Sequence, residues 1–497
     1  MEFHLLPWFL AALVPAAAQT YSAGSAKQLF IDTRFIEGAA GVVLRMNPPV
    51  KKGVALRGDR PWDAGWISGA GTVLDEDGRY RMWYTAMPAE GAFGQFRLCY
   101  AESDDGVTWR KPNLGLFEWR GSRANNILME TNIENAGGIF RDPTASASER
   151  YKMVAILPRE KAPAGEGGIY VYTSPDGLRW KLHPQRVLPL HPDTVNMAFY
   201  DTRLRKYVAY LRKWDKGRKI GRVETGDILA PWPYDKSATP GRVWAAERVQ
   251  PPTTQIPTAF GYDDQDPQPS DHYTSAVVQY PWAADAYFMF PSPYQHFPEP
   301  PKSKYRNDGP LDIQMAVSRD GVAFQRVERA PYIELGLDDE GDAGSMYMHI
   351  GMLRVNNRLY QYYGGVRHTH GGYQGYAELS GIGAIFRVEQ RLDGFVSVDA
   401  GMAGGSFHTP PLRFEGNSLE LNMNASAMGQ VLVELRDEHG TPLAGFTFAD
   451  CDVNYRNHLD QKVTWKGKGD LGSLKTKPVR LAFRMRAAKL YAFQFVP

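Results

Sequence analysis

The sequence has only two cysteines in 497 residues, Cys99 and Cys451. A disulfide-built scaffold is therefore excluded. Two separate buried thiols are expected, with a single long-range bridge as the alternative. No Cys/His cluster has zinc spacing, and no cofactor is expected. An excess of one charge is also lacking, since 57 Lys and Arg face 55 Asp and Glu. That balance gives no footprint for nucleic acid or an anionic membrane, and neither is expected as a partner. Long apolar runs are scarce. Residues 5–15, within "MEFHLLPWFLAALVPAAAQT", are too short and proline-broken to span a bilayer. Followed by Ala16, Ala17 and Ala18, they read as a signal peptide over residues 1–18, although no Lys or Arg precedes them. The expected product is a secreted or periplasmic monomer.

Aromatics are plentiful at 12%, with 49 Gly and 35 Pro, a profile of short strands and turns. One motif, Ser-x-Asp-Gly-x-x-aromatic, recurs as "SDDGVTW" (103–109), "SPDGLRW" (174–180) and "SRDGVAF" (318–324). Upstream lies a second repeat, a β-rich run with an early tyrosine: Tyr80, Tyr151, Tyr207, Tyr287 and Tyr360. Each such run follows a turn and another apolar run. The unit is strand, turn, aromatic strand, loop, strand, Asp-Gly turn, outer strand, written five times with loops of unequal length. Self-similar four-stranded units predict a β-propeller. The Asp-Gly motif then serves structure: Asp caps the turn, Gly takes the left-handed position, and the aromatic packs between blades. After Asp399 the texture becomes alternating apolar and polar residues with Gly and Asn turns, which predicts a β-sandwich. The expected fold is all-β: a lead-in over 19–60 packing on the propeller, a five-bladed propeller over 61–400, and a sandwich over 401–497.

In a propeller the first strand of each blade starts, and the second ends, on one axial face. The strand-one starts carry acids: Asp63, Glu134, Asp193, Asp271 and Asp342. Clustered carboxylates repel, so some hold protons while others stay ionised, the condition for paired acid and base. The strand-two ends carry Arg159, Arg212, Lys213, Tyr294, His296, Arg367, His368 and His370. Cations and imidazoles facing acids suit polyhydroxylated or anionic substrates, and Trp62, Trp66 and Trp214 could stack on sugar rings. The two histidines could instead merely bond within a loop, or hold a calcium-bound water. "FRDP" (140–143) places Asp142 only nine residues before Tyr151, in the turn between strands one and two with Asp75 and Asp201. Its register excludes it from the axial face.

Five blades, the "S-x-D-G-x-x-W" hairpins, axial acids and a trailing sandwich resemble the furanosidase-like propellers of glycoside hydrolase families 32, 43 and 68. "QLFIDTRFIE", "RPWD", "DTVNMAFYDTRLRKYVAYLR" and "YYGGVRHTHG" are similar to a group of uncharacterised exported bacterial glycosidases. The chain departs from family 32 in lacking a "WMNDPNG"-like stretch and an "EC" acid/base motif, and its Arg-Asp-Pro is out of register. The resemblance implies an exported glycoside hydrolase acting on a poly- or oligosaccharide. Asp63 would be nucleophile or base, and Asp193 or Asp271 the general acid. Trp66, Glu134, Arg212, His296, Asp342, Arg367, His368 and His370 would bind substrate hydroxyls or a carboxylate. Two other readings compete. One is a non-catalytic carbohydrate-binding propeller. The other is a sialidase-like or lyase-type enzyme using Tyr294, His296 and Arg367.

Overall fold

The computed structural model describes residues 19–67, 69–90, 95–131, 135–190, 192–234, 241–242, 249–250, 256–297, 308–372 and 381–497. The chain forms two units, Leu44–Ser397 and a second made of the residues up to Val43 with Val398–Pro497.

Leu44–Ser397 is the five-bladed propeller. The first blade pairs Thr72–Glu76, Arg79–Ala86, Arg97–Ser103 and Ile127–Glu130 in order. The second pairs Ile139–Arg141, Tyr151–Leu157, Gly168–Ser174 and Lys181–Leu182. The third uses Met197–Asp201, Lys206–Trp214, Arg218–Thr225 and Thr258–Phe260. The fourth is built on Val277–Gln279, Tyr287–Met289 and Ala316–Ser318. In the fifth, Ser345–Met348, Arg358–Val366 and Gly383–Arg391 are completed by Val50–Arg57 from the chain's early part. The ring is thus closed by hydrogen bonds between its two ends, which leaves no open edge there.

All five repeated tyrosines lie in second strands, as the spacing predicts. These strands are buried almost throughout, as in Arg79–Ala86 and Tyr151–Leu157. A blade inside a ring covers both faces against neighbours, so its strands read as continuous apolar runs instead of alternating ones. Register explains why the two repeats travel together. Tyr80 stands opposite Ser103, Tyr151 opposite Ser174, and Tyr287 opposite Ser318. In the third blade Tyr207 faces Thr225, and the degenerate "TGD" turn still forms, with Asp227 accepting from the Leu229 amide at 2.9 Å.

The Asp-Gly turns have the expected geometry. Asp105 Oδ1 accepts the amides of Val107 and Thr108, each at 2.7 Å, and Ser103 Oγ accepts that of Gly106 at 2.9 Å. Gly106, Gly177 and Gly321 have φ of +70°, +73° and +70°. Their second role is to be approached closely. Trp83 Nε1 of the first blade donates to Gly177 O of the second at 2.7 Å, and Tyr210 of the third donates to Gly321 O of the fourth at 2.6 Å. Tyr362 of the fifth donates to Gly106 O of the first. Each aromatic donor of one blade grips the outer hairpin of the next. A second clasp joins neighbours at the turn between strands one and two. Tyr207 donates to Asp142 at 2.8 Å, and Tyr287 to Asp201 at 2.6 Å.

The other unit centres on Ser418–Asp437 and Val479–Val496, long antiparallel partners with register breaks near Met423 and Gln430. Its core includes Phe30, Phe35, Phe407, Phe483 and Phe493 in edge and tilted contacts. Here the expected boundaries change. The lead-in does not pack on the propeller as one segment. Tyr21–Gly24 pairs in parallel with Leu412–Phe414, and Gln28–Leu29 pairs with Val479–Val496. Tyr21–Gly24, Gln28–Leu29 and Glu37–Ala40 therefore join the C-terminal sheet, while Val50–Arg57 completes a blade. The signal-peptide segment lies outside the described residues. Cys99 and Cys451 are both free and buried. Among the described residues no helix is long and apolar enough to cross a membrane.

A Cβ on Gly177 would stand 2.7 Å from the Trp83 ring, whereas one on Gly78, also left-handed at +88°, meets nothing. Gly78→Ala should therefore cost only the backbone penalty, about 1 kcal/mol. Gly177→Ala should add overpacking of roughly 1–3 kcal/mol. Denaturant midpoints measure both. Equal losses would show that the blade-to-blade contact carries no weight.

Candidate active site at the propeller axis

An open cavity is lined by Trp66, Gly69, Ala70, Thr194, Val195, Tyr273, Thr274, Ser345, Tyr347, Val366, His368 and His370. Most of these belong to the beginnings of first strands in the first, third, fourth and fifth blades. The last three belong to the exit of the fifth blade's second strand. Strand-one starts and strand-two ends thus build the cavity, as the register predicts.

Among the described axial acids, Asp63, Asp193, Asp271 and Asp342 do not line it. Asp63 is wholly buried. Its Oδ2 takes Lys111 Nζ at 2.5 Å and Tyr84 OH at 3.1 Å, and its Oδ1 takes the Arg60 amide at 2.8 Å. Burial pushes this carboxyl up, against the Lys111 ammonium, which pulls it down. Asp342 repeats the arrangement in the fifth blade: Lys51 Nζ lies at 2.7 Å and Tyr363 OH at 2.6 Å. In both blades the tyrosine follows its acid by 21 residues. For Asp63, the expected nucleophile or base, and Asp342, an expected substrate-binding group, Oδ2 holds a lysine and a tyrosine.

Asp271 is also engaged. Arg218 donates to it through its amide (2.6 Å) and Nη1 (2.5 Å), and His296 Nε2 lies at 2.7 Å. Burial opposes ionisation, but His296 and Arg218 outweigh it and hold the carboxyl down to about 2. It is an ionised anchor held by Arg218 and His296. Asp193 differs. Its side chain keeps 35% exposure, its nearest cation is Arg212 at 3.7 Å, and it directly precedes Thr194 and Val195 of the lining. Its φ of +61° is a strained backbone for a non-glycine residue. Glu134 lies outside the described residues.

Among the basic and aromatic candidates, Trp66, His368 and His370 line the cavity. Arg212 lies behind the wall, donating to the carbonyls of Asp193 (2.7 Å) and Tyr273 (2.9 Å). His296 and Tyr294 are adjacent, with ring centroids 4.3 Å apart, whereas Arg367 is exposed on the loop before His368. Asp142 stays in its turn, accepting from Thr144 and Tyr207, and Asp75 and Asp201 cap theirs. Trp62 donates to Asn126 and does not line the cavity. Sequence reasoning missed Tyr273, Tyr347 and Arg218. Tyr347 shares a 2.5 Å hydrogen bond with His370 Nδ1, and Tyr273 meets the same imidazole edge-on, with ring centroids 4.4 Å apart. Both tyrosines follow an axial acid by two to five positions, the available signal. No group of three or more His, Cys, Asp or Glu suited to a metal occurs among the described residues.

Because Asp271 is depressed in the fold, its stabilisation is present above the unfolded carboxylate value near ~4 and is lost as pH falls below it. The gap in unfolding midpoint between wild type and Asp271→Asn should be constant above about pH 5 and narrow towards pH 3. A gap independent of pH over that range would contradict this network.

Residues 51–197 match the family model "Glycosyl hydrolases family 32 N-terminal domain". Among solved structures, exo-inulinase from Aspergillus awamori is 12% identical, covering 89% of this chain and 98% of that one at a TM-score of 0.42. The GH32 beta-fructofuranosidase of Bombyx mori is 10% identical, covering 94% and 96% at 0.39. A glycosyl hydrolase from Bacteroides ovatus is 13% identical, covering 74% and 94% at 0.40. The resemblance to glycoside hydrolase propellers is thus borne out on residues 51–197, and that family match supports a propeller glycoside hydrolase.

Proposed function

We propose that this propeller glycoside hydrolase acts on a poly- or oligosaccharide held in the axial cavity, and that it does so outside the cytoplasm, as the apolar segment before Gln19 suggests. The observation that carries the reading is the cavity's lining. Trp66, Tyr273 and Tyr347 offer flat apolar faces to a sugar ring, and Thr194, Thr274, Ser345 and the two histidines offer hydrogen-bonding groups. Apolar faces with a few polar groups are the make-up of a site that orients a polyhydroxylated ligand.

Hydrolysis of a glycosidic bond needs a proton delivered to the leaving oxygen and a nucleophile or activated water at the anomeric carbon, usually from two carboxyl groups. Asp63, Asp271 and Asp342 are engaged in ion pairs. Asp193 is the carboxylate we assign to the reaction, and Glu134 is the axial acid left to partner it. A second reading follows from the Tyr347–His370 contact inside the cavity. There a tyrosine and an imidazole would share the proton transfer, in the manner of the sialidase-like or lyase-type alternative.

The test is release of reducing ends from a panel of aryl glycosides and polysaccharides. Asp193→Asn and Glu134→Gln should each lower kcat by about 10²–10⁴-fold with little change in KM. Loss in His370→Gln with full activity in Asp193→Asn would favour the tyrosine–histidine route. Binding of sugars without turnover of any substrate would reduce the protein to a binding propeller.

A further inference from the structure

The glycoside hydrolase reading leaves the charge of the substrate open, and the wall around Tyr273 bears on it. The guanidinium carbon of Arg212 lies 4.0 Å from the Tyr273 ring centroid. That of Arg218 lies 5.6 Å from Tyr273 and 5.6 Å from Tyr294. His370 packs on the same two rings, at 4.4 and 5.0 Å. Two cations thus pack on Tyr273, a residue of the cavity's lining.

Two acids of this wall, Asp271 and Asp308, are already matched, and only Asp193 keeps exposure among its described acids. Asp271 is held by Arg218 and His296. Asp308 accepts the Gly309 and Gly371 amides and the Thr369 hydroxyl, at 2.7–2.9 Å. Asp193 sits 3.7 Å from Arg212. The cations keep unused donors. Arg212 Nε and Arg218 Nε are buried with no hydrogen-bond partner among the described residues. Among the described residues, one terminal nitrogen of Arg218 is bonded, to Asp271. Arg367, exposed beside His368, makes no ion pair among the described residues.

Both histidines of the lining register this imbalance. Besides burial, the charges acting on His370 are those of Arg218, Arg212 and His296, and the charge acting on His368 is that of Arg367. All of these oppose protonation, and at His370 no carboxylate among the described residues offsets them. His370 is pushed down to about 3 and stays a neutral imidazole. Neutral imidazoles among guanidiniums make a surface that accepts negative charge at low desolvation cost, because the counter-charge is already in place.

We propose that the axial cavity selects acidic sugars, carrying a uronate carboxylate or a sulfate ester, with Arg218 and Arg367 as the groups that meet the anion and Arg212 reinforcing the field. The proposal rests on the glycoside hydrolase reading.

Titration calorimetry of the full chain with matched uronate-containing, sulfated and neutral oligosaccharides tests it. One acidic series should bind at least about tenfold more tightly than the neutral one, and that margin should shrink as sodium chloride is raised. The acidic series that binds names the source of the charge. Arg367→Gln, at an exposed position where folding is safe, should weaken acidic ligands about three- to tenfold and leave neutral ones unchanged. Arg218→Lys, checked by its unfolding midpoint, should lower acidic affinity further, since an ammonium cannot make the two-pronged contact. Neutral sugars binding as tightly as acidic ones, or a margin indifferent to salt, would overturn this inference and leave the hydrolase reading standing. Failure of every sugar to bind would overturn both.

Discussion

The ring depends on one contact, an aromatic donor of one blade reaching a glycine carbonyl in the hairpin of the next. Trp83 to Gly177, Tyr210 to Gly321 and Tyr362 to Gly106 are buried, directional bonds. Apolar packing between blades is non-directional and would tolerate rotation about the axis. A hydrogen bond that cannot be exchanged for water does not. The glycine answers two demands at once, since only it takes the left-handed turn without strain and only it lets the ring come so near. The tyrosine clasps on Asp142 and Asp201 lie at the same end of the blades. The fold is therefore pinned at the end away from the cavity, and the loops that build the cavity are free to differ from blade to blade.

The strand-one acids show what such a ring does with charge. A carboxylate at the start of a first strand is enclosed by the neighbouring loops, and a buried charge needs a partner. In the first and fifth blades the partners are a second-strand tyrosine and a lysine, Lys111 or Lys51. In the fourth they are an arginine and a histidine. The third blade departs: Asp193 keeps exposure and a strained backbone. A departure from a repeated structural device is where function is best sought, because strain persists only where the surroundings enforce it.

The architecture was legible because a repeat states its own constraint. Tyr80 opposite Ser103 and Tyr151 opposite Ser174 are register pairs, so two motifs separated by variable loops still mark one unit. The same register placed the cavity at the right end of the blades and kept Asp142 out of it. The lining was less legible. Acids were chosen at Asp271 and Asp342, whereas the side chains that face the axis come two to five positions later, at Tyr273, Tyr347 and their equivalents. Sequence gives the strand but not the depth at which a chain turns from loop to wall. Nor does it show that a lysine some fifty residues from Asp63 closes on it. The lead-in was misplaced for a related reason: strands such as Gln28–Leu29 and Val50–Arg57 look alike, and their partners lie hundreds of residues away.

These constraints together explain the character of the cavity. Acids drawn into structural pairs are withdrawn from the axial face, so the charge left near the surface is that of the arginines. Arg212 cannot shed its charge, and in its buried place it is balanced by carbonyl dipoles and the faces of Tyr273 more than by a carboxylate. That arrangement keeps His370 neutral and holds it in place, with Tyr347 on one nitrogen and the Gly309 carbonyl on its amide. A wall of neutral imidazole and tyrosine over buried guanidinium follows from the way the ring closes around its own acids. On the proposed reading, a preference for a negative ligand follows from how the fold is stabilised, and Asp193 is the carboxylate proposed to act on that ligand.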